Sequence, residues 1–132
     1  MEINTIILWR PTSDVLSEQL YIDKILDDHT GLNIVARNQG SKNYYEFIFN
    51  RVLFFQNIDE TCSLARLEKY PILSTVTPLF LCLNSSYSSW LYEQSYQVIS
   101  IANLQHYIIT HGDGIIDIVT EVDPIVKYHE IN

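Results

Sequence analysis

Residues 104–119 read LQHYIITHGDGIIDIV, and this stretch decides which fold class we expect. Two apolar, β-branched runs, Leu104–Thr110 and Ile115–Val119, flank the segment His111–Gly114. Such runs favour strands, and two glycines in four residues permit the positive φ angles that tight hairpins require. The pattern therefore predicts a β-hairpin, and Pro124 then introduces a last short strand at Ile125–Tyr128.

The N-terminal half contains further strand patterns and one segment with two interpretations. Ile3–Trp9 is apolar and stops at Pro11, so it predicts a strand. Residues 15–28 fit either a helix or a strand, but their last part, Leu20–Asp27, fits a strand slightly better because a hairpin partner follows the turn at 27–31. The strands predicted beyond that turn are Leu32–Arg37, Tyr44–Phe49 and Arg51–Gln56, which would complete an antiparallel meander.

Helix signals are confined to the middle of the chain. Asp59 can cap a helix over Glu60–Lys69, which Pro71 would end. Leu79–Leu83 predicts a short buried strand, and Ser85 or Ser86 would begin a second short helix that runs to Gln94. We therefore expect an α+β fold, mainly an antiparallel β-sheet with two or three short helices. A length of 132 residues suits a single domain, 1–132.

The charge balance narrows the classes of partner. Sixteen acidic residues against eight basic ones give a net charge of -8, and the pI is near 4.7. Such a field repels nucleic-acid phosphates and attracts basic proteins, although acidity also serves solubility alone. The N-terminus lacks the basic region of a signal peptide, and no apolar run approaches the roughly 20 residues that cross a bilayer. These features predict a cytoplasmic protein that binds neither nucleic acid nor membrane.

No motif in the sequence predicts catalysis, a metal site or a cofactor. His111 and Asp113, with His106 and Asp117 nearby, form the densest group of titratable residues, but their spacing does not enforce convergence on one site. The serines at 85–89 lack a G-x-S-x-G pattern and are expected to cap a helix.

The two cysteines lie twenty positions apart and fit no metal or redox motif. Cys82 lies in an apolar run, so the pKa of its thiol should rise. The sequence does not decide whether Cys62 and Cys82 form a disulfide. We therefore expect a protein that is not an enzyme and needs no cofactor.

Acidic residues crowd the two ends of the chain. If both ends meet in space, they form one negative face with tyrosines in it, and such a face suits a basic partner. The residues that we expect to bind a partner, chosen from charge and aromatic character, are Asp23, Asp27, Asp28, Asp113, Asp117, Glu121, Asp123, Tyr107 and Tyr128.

Part of the sequence resembles small bacterial immunity proteins, which are encoded beside contact-dependent inhibition toxins and other polymorphic toxins. The resemblance is carried by Leu8-Trp9-Arg10-Pro11, by His106-Tyr107-Ile108-Ile109-Thr110, and by Ile116-Asp117-Ile118-Val119 followed by Pro124. It covers about a quarter of the chain and implies a non-enzymatic protein that binds one cognate toxin domain and blocks it.

Three hypotheses follow from the sequence. The first is an intracellular immunity protein whose acidic face occludes a basic toxin domain, such as a nuclease. The second is an adaptor or assembly subunit that binds through an exposed sheet edge. The third is a small enzyme or metal site at the His111–Asp113 hairpin, which a deeply set cluster with His106 and Asp117 would favour.

Overall fold

The computed structural model describes residues 1–11 and 18–131, and it shows an α+β fold dominated by antiparallel strands, as predicted. The strands are β1 (Thr5–Leu8), β2 (Leu20–Asp28), β3 (Gly31–Asn38), β4 (Tyr44–Phe49), β5 (Val52–Asp59), β6 (Leu79–Leu83), β7 (Gln105–His111), β8 (Gly114–Thr120) and β9 (Ile125–His129). Two α-helices, α1 (Leu64–Lys69) and α2 (Ser86–Gln94), and 3-10 turns at Glu60–Cys62, Pro71–Ser74 and Ile101–Asn103 complete the described part. The strand interpretation of 20–27 is confirmed, whereas residues 15–17 lie outside the described residues.

The nine strands form one curled sheet with two antiparallel halves. One half has the order β1-β6-β7-β8-β5, and the other has the order β2-β3-β4-β9. The halves join where Leu20 of β2 pairs in parallel with His111 of β7.

The predicted meander is wrong at its last strand. β5 does not continue from β4 but pairs with β8, which places Phe55 opposite Ile118. The free edge of β4 is taken by β9, with Phe47 opposite Val126. The turn at 50–51 therefore carries the chain from one half of the sheet into the other.

The hairpin at 111–114 is confirmed, but its glycines serve close packing and not a positive φ. A Cβ on Gly114 would lie 2.1 Å from the carbonyl oxygen of Ile58, and one on Gly112 would lie 2.7 Å from the ring of Tyr21. Only glycine lets the neighbouring backbone and ring approach this closely.

Apolar side chains cover the five-stranded half on both faces. On one face Ile109, Ile116 and Ile118 pack against residues of the other half, including Ile34 and Phe47. On the opposite face a second cluster packs Leu73, Phe80, Cys82, Ile108 and Ile115 against Leu67 and Tyr70. Every residue of β8 is buried as a result, which explains its almost unbroken apolar sequence.

Both predicted helix caps are present. The Asp59 carboxylate accepts a hydrogen bond from the Thr61 amide, and the Ser85 hydroxyl accepts one from the Ser88 amide. The predicted helix at 60–69 is divided at Ser63 into a 3-10 turn and α1. Within the described ranges, no helix combines the length and apolar character that crossing a membrane demands.

Candidate functional site

The residues predicted to bind a partner differ in their exposure. Asp23, Asp27, Asp28, Asp113, Asp123 and Tyr128 are exposed, Glu121 is half-buried, and Asp117 and Tyr107 are buried. They do not form one continuous face.

Four of the exposed or half-buried acids lie at the same end of the sheet. Gly31 pairs with Asp28 across the β2–β3 hairpin and lies against the backbone of Phe49 and Asn50, so β3 separates Asp27 and Asp28 from the β4–β5 turn. The β4–β5 turn also contacts the end of β8. The Thr120 hydroxyl donates a hydrogen bond to the Arg51 carbonyl, and the Arg51 guanidinium lies 3.4 Å from the Glu121 carboxylate. We call Asp27, Asp28, Glu121 and Asp123 the acidic end.

Asp123 is positioned by the core beneath it. The hydroxyl of buried Tyr107 donates a 2.9 Å hydrogen bond to the Asp123 carboxylate. Burial, together with this bond to an anion, raises the pKa of Tyr107 far above its ordinary value. The prediction that Tyr107 lies on an exposed face is wrong, because its ring packs against Trp9 and Phe49 in the core.

The other predicted acids lie elsewhere. Asp113 is at the tip of the β7–β8 hairpin, next to Glu60, whose amide donates to the Asp113 carbonyl at 2.8 Å. Asp23 projects from β2 and forms an exposed ion pair with Arg37 at 2.5 Å. Tyr128 lies on β9, where its ring packs against Tyr45.

The prediction that Asp117 lies on an exposed face is also wrong. Its side chain is fully buried beneath the helices and accepts four hydrogen bonds. Arg66 of α1 binds both carboxylate oxygens, at 2.6 and 2.7 Å, and Gln56 and His106 donate at 3.0 and 2.7 Å. A charge inside an apolar strand needs such partners, because desolvation otherwise makes its burial too costly.

A hydrogen-bonded series runs from this carboxylate to the start of α2. His106 Nε2 lies 2.7 Å from Asp117, and His106 Nδ1 lies 2.7 Å from the Ser85 hydroxyl. With the proton on Nε2, the Ser85 hydroxyl donates to Nδ1 and accepts from the Ser88 amide at 3.2 Å. We call Ser85, His106, Asp117 and Arg66 the buried polar series, and it ties both helices to the sheet.

The electrostatics of this series favour a permanent ion pair. Burial alone would raise the pKa of Asp117, but the hydrogen bonds from Arg66 and His106 and their charges outweigh it, so the pKa is held far below its usual range. Burial alone would lower the pKa of Arg66. The hydrogen bonds to Asp117 and the negative charge of that carboxylate outweigh burial, so the pKa of Arg66 is raised above its usual value. Asp117 is therefore ionised at neutral pH.

The series borders a cavity of about 320 Å³ whose lining includes Arg66, Cys82, Tyr87 and His106. Serine, imidazole and carboxylate in hydrogen-bonded sequence are the groups used in nucleophilic acyl transfer. Here Ser85 is buried and its hydroxyl already caps α2, so the local geometry fits a structural role better.

The predicted histidine cluster is divided. His106 and Asp117 are together, whereas His111 bonds Asn57 at 2.8 Å and lies with Asp113 at the hairpin. Burial lowers the pKa of His111, and the negative charge of Asp113, which acts in the opposite direction, only partly offsets this effect. Within residues 1–11 and 18–131, no three His, Cys, Asp or Glu side chains are arranged to hold a metal ion.

Both cysteines are free thiols, with Cys62 exposed and Cys82 buried. Burial raises the pKa of Cys82 to about 11, which confirms the direction predicted from its apolar neighbours.

Sheet edges are the surface on which the adaptor hypothesis depends. In the described part of the chain, β1, β5 and β9 each pair with one strand. β1 has four residues and β9 has five, and short edges protect a sheet against pairing with other chains. β5 is longer, but rings of α2 lie over its Phe54.

Sequence reasoning missed Arg66 and the role of Ser85 in the buried polar series. One signal was available: Asp117 interrupts an apolar run, and a buried carboxylate requires a cation or several donors. The sequence does not say which of the basic residues provides that cation.

Comparison with models of known protein families, with curated protein sequences and with solved structures finds no match for this chain.

Proposed function

We propose that this protein is a bacterial immunity protein that binds a basic toxin domain and blocks it. The observation that carries the proposal is the acidic end, because Asp27 and Asp28 of β2 lie at the same end of the sheet as Glu121 and Asp123 of the β8–β9 connection. These acids are more than ninety positions apart in sequence, so only the fold brings them together. The resemblance of residues 8–11, 106–110 and 116–119, followed by Pro124, to immunity proteins supports the same function.

The proposed mechanism is electrostatic and steric. Carboxylates at the acidic end occupy the positions that nucleic-acid phosphates would take on a basic nuclease, and the bound protein then covers the active site. A net charge of -8 accelerates the encounter with a basic partner at low ionic strength.

The proposal is tested by capture followed by rescue of growth. The tagged protein is expressed in its native cells, and proteins that co-purify in near-stoichiometric yield are identified by mass spectrometry. The gene for each captured protein is then expressed alone and together with this chain in a heterologous bacterium. We expect one protein with a basic domain, whose domain arrests growth alone and is tolerated in the presence of this chain.

Charge variants make the test specific. One variant carries Asp27→Asn, Asp28→Asn, Glu121→Gln and Asp123→Asn, and it should lose capture and rescue. A control with the same net charge carries substitutions of acids outside the acidic end, Glu18→Gln, Glu60→Gln, Glu68→Gln and Glu130→Gln, and should retain both. Capture of a neutral partner without toxicity would instead support an adaptor.

The series Ser85–His106–Asp117 supports a second candidate, a hydrolase that acts by acyl transfer. In this mechanism the Ser85 oxygen attacks a carbonyl carbon while His106 Nδ1 accepts the hydroxyl proton. The bond from that carbon to the leaving group then breaks, the leaving group takes the proton from His106, and water later releases the acyl group from Ser85. A fluorophosphonate probe, which labels activated serines covalently, tests it. Labelling of Ser85 that is lost in His106→Gln would support the hydrolase, and unlabelled protein under native conditions would remove it.

A further inference from the structure

Four large apolar side chains are exposed within a stretch of twelve residues. Trp90 on α2 is 51% exposed, Tyr96 94%, Val98 83% and Ile101 43%. Single exposed apolar residues are ordinary on a protein surface, whereas four within one short segment are typical of a contact surface. We call these four residues the aromatic patch.

The backbone fixes the most exposed of them in place. Tyr96 and Gln97 have φ angles of 54° and 64°, a left-handed conformation that costs non-glycine residues about 1–2 kcal/mol each. Two backbone hydrogen bonds close the turn. The Tyr96 amide donates to the Glu93 carbonyl at 3.0 Å, and the Gln97 amide donates to the Tyr92 carbonyl at 2.9 Å. The Ser95 hydroxyl accepts from the Ile99 amide at 3.3 Å. Helices commonly end with a left-handed residue, and here that ending leaves the Tyr96 ring exposed just beyond α2.

The patch belongs to an uncharged part of the chain. Between Lys69 and Asp113 the sequence has a single Asp, Glu, Lys or Arg residue, which is Glu93. Interface centres are poor in charge and rich in tyrosine and tryptophan, and rigid aromatic side chains there contribute much of the binding energy.

The patch lies near Glu121 of the acidic end. Trp90 packs on Phe54 with ring centroids 6.1 Å apart, and Phe54 pairs with Val119 near the end of β8. The turn that contains Ile101 leads into Gln105, which pairs with Thr120. Glu121 follows directly, so an apolar centre adjoins a negatively charged rim.

We propose that the aromatic patch is the apolar centre of the surface that contacts a basic partner domain, with the acidic end as its rim. This inference rests on the proposed function. A basic domain is the partner that fits the patch, because its positive charge complements the acidic rim. A second copy of the chain fits less well, because two molecules of net charge -8 would bring their acidic ends together.

The test uses the purified basic domain of the captured protein and the full chain in a calorimetric titration. The variant is Tyr96→Asn with Val98→Ser, because asparagine tolerates the left-handed conformation and both side chains are almost fully exposed. The matched control is Leu64→Asn with Val76→Ser, which are 63% and 69% exposed and lie away from the patch. Circular dichroism melting of each protein verifies the fold.

We expect the patch variant to bind about 30-fold more weakly or worse, as loss of an interface anchor does, and the control to bind within about twofold of wild type. Unchanged binding of the basic domain by the patch variant would overturn the inference and leave the proposed function standing. Failure of the wild type to bind any basic domain would overturn both. Concentration-dependent dimerisation in analytical ultracentrifugation that the patch variant abolishes would assign the patch to a second copy and overturn the inference.

Discussion

Asp117 is the charged residue through which the sheet binds α1, in addition to the apolar packing of the helices. It is fully buried, and Arg66, Gln56 and His106 all donate to it. Asp117→Asn leaves the Arg66 guanidinium without its counter-charge in a mostly buried place, so we expect a loss of about 3 kcal/mol in the free energy of unfolding. Urea denaturation followed by circular dichroism measures it.

The control for this prediction is the exposed ion pair between Asp23 and Arg37. Asp23→Asn should cost less than about 1 kcal/mol, because exposed pairs are screened by solvent. Equal losses for Asp117→Asn and Asp23→Asn would contradict the structural role of the buried polar series.

The lowered pKa of Asp117 predicts how stability depends on pH. Because its folded pKa lies below its unfolded value of about 3.9, its contribution is complete above that value and is lost as pH falls towards the folded pKa. Urea midpoints measured between pH 6 and about pH 2.5 should therefore fall more steeply for the wild type than for Asp117→Asn. Parallel curves would show that another group controls acid unfolding.

The two thiols should react at very different rates. Cys62 is exposed, whereas Cys82 is buried with its pKa raised to about 11, so about one thousandth of it is thiolate at pH 8. Iodoacetamide at pH 8 should alkylate Cys62 first, and Cys82 only after unfolding in guanidinium. Peptide mass spectrometry measures both sites, and equal rates in the native protein would contradict the burial of Cys82.

At the scale of elements, the hairpin of β7 and β8 depends on Gly114. Gly114→Ala would place a methyl group 2.1 Å from the Ile58 carbonyl oxygen, so β5 or β8 must move, and we expect a loss of about 3 kcal/mol or more. The matched control is Gly40→Ala, where the added carbon meets no atom within 4 Å and only the φ angle of 76° is unfavourable, at about 1–2 kcal/mol. Thermal melts compare the two, and a smaller loss for Gly114→Ala would contradict the close approach of β5 to the hairpin.

Local elements could be predicted from the sequence, and their distant pairing could not. The hairpins at 20–37 and 104–119 and the caps at Asp59 and Ser85 follow from neighbouring residues, and all are present. The pairing of β5 with β8 joins segments about sixty positions apart, and local patterns carry no information on such a partner. Every residue of β8 is buried, because apolar side chains cover both of its faces, and the hairpin prediction did not include this second layer.

At the scale of the whole molecule, charge is distributed unevenly over the surface. Asp27, Asp28, Glu121 and Asp123 lie at one end of the sheet, and the aromatic patch, which carries almost no charge, lies near Glu121. The sequence showed that acids crowd both chain ends and left open whether the ends meet. It could not exclude Asp117 from a shared face, because burial of a carboxylate depends on its partners and not on its type. The sequence also could not show that Asp113 lies apart from the acidic end, at the tip of the β7–β8 hairpin.

The measurement that tests the central claim most directly is the dissociation constant of the purified complex with the captured basic domain, determined at about 50 and 500 mM NaCl. Salt screens exposed charges, so affinity that depends on the acidic end should fall steeply for the wild type. The variant neutralised at Asp27, Asp28, Glu121 and Asp123 should bind about tenfold more weakly or worse at low salt and respond less to added salt. Equal affinities for both proteins, with the same response to salt, would contradict the claim that this end of the molecule recognises a basic toxin.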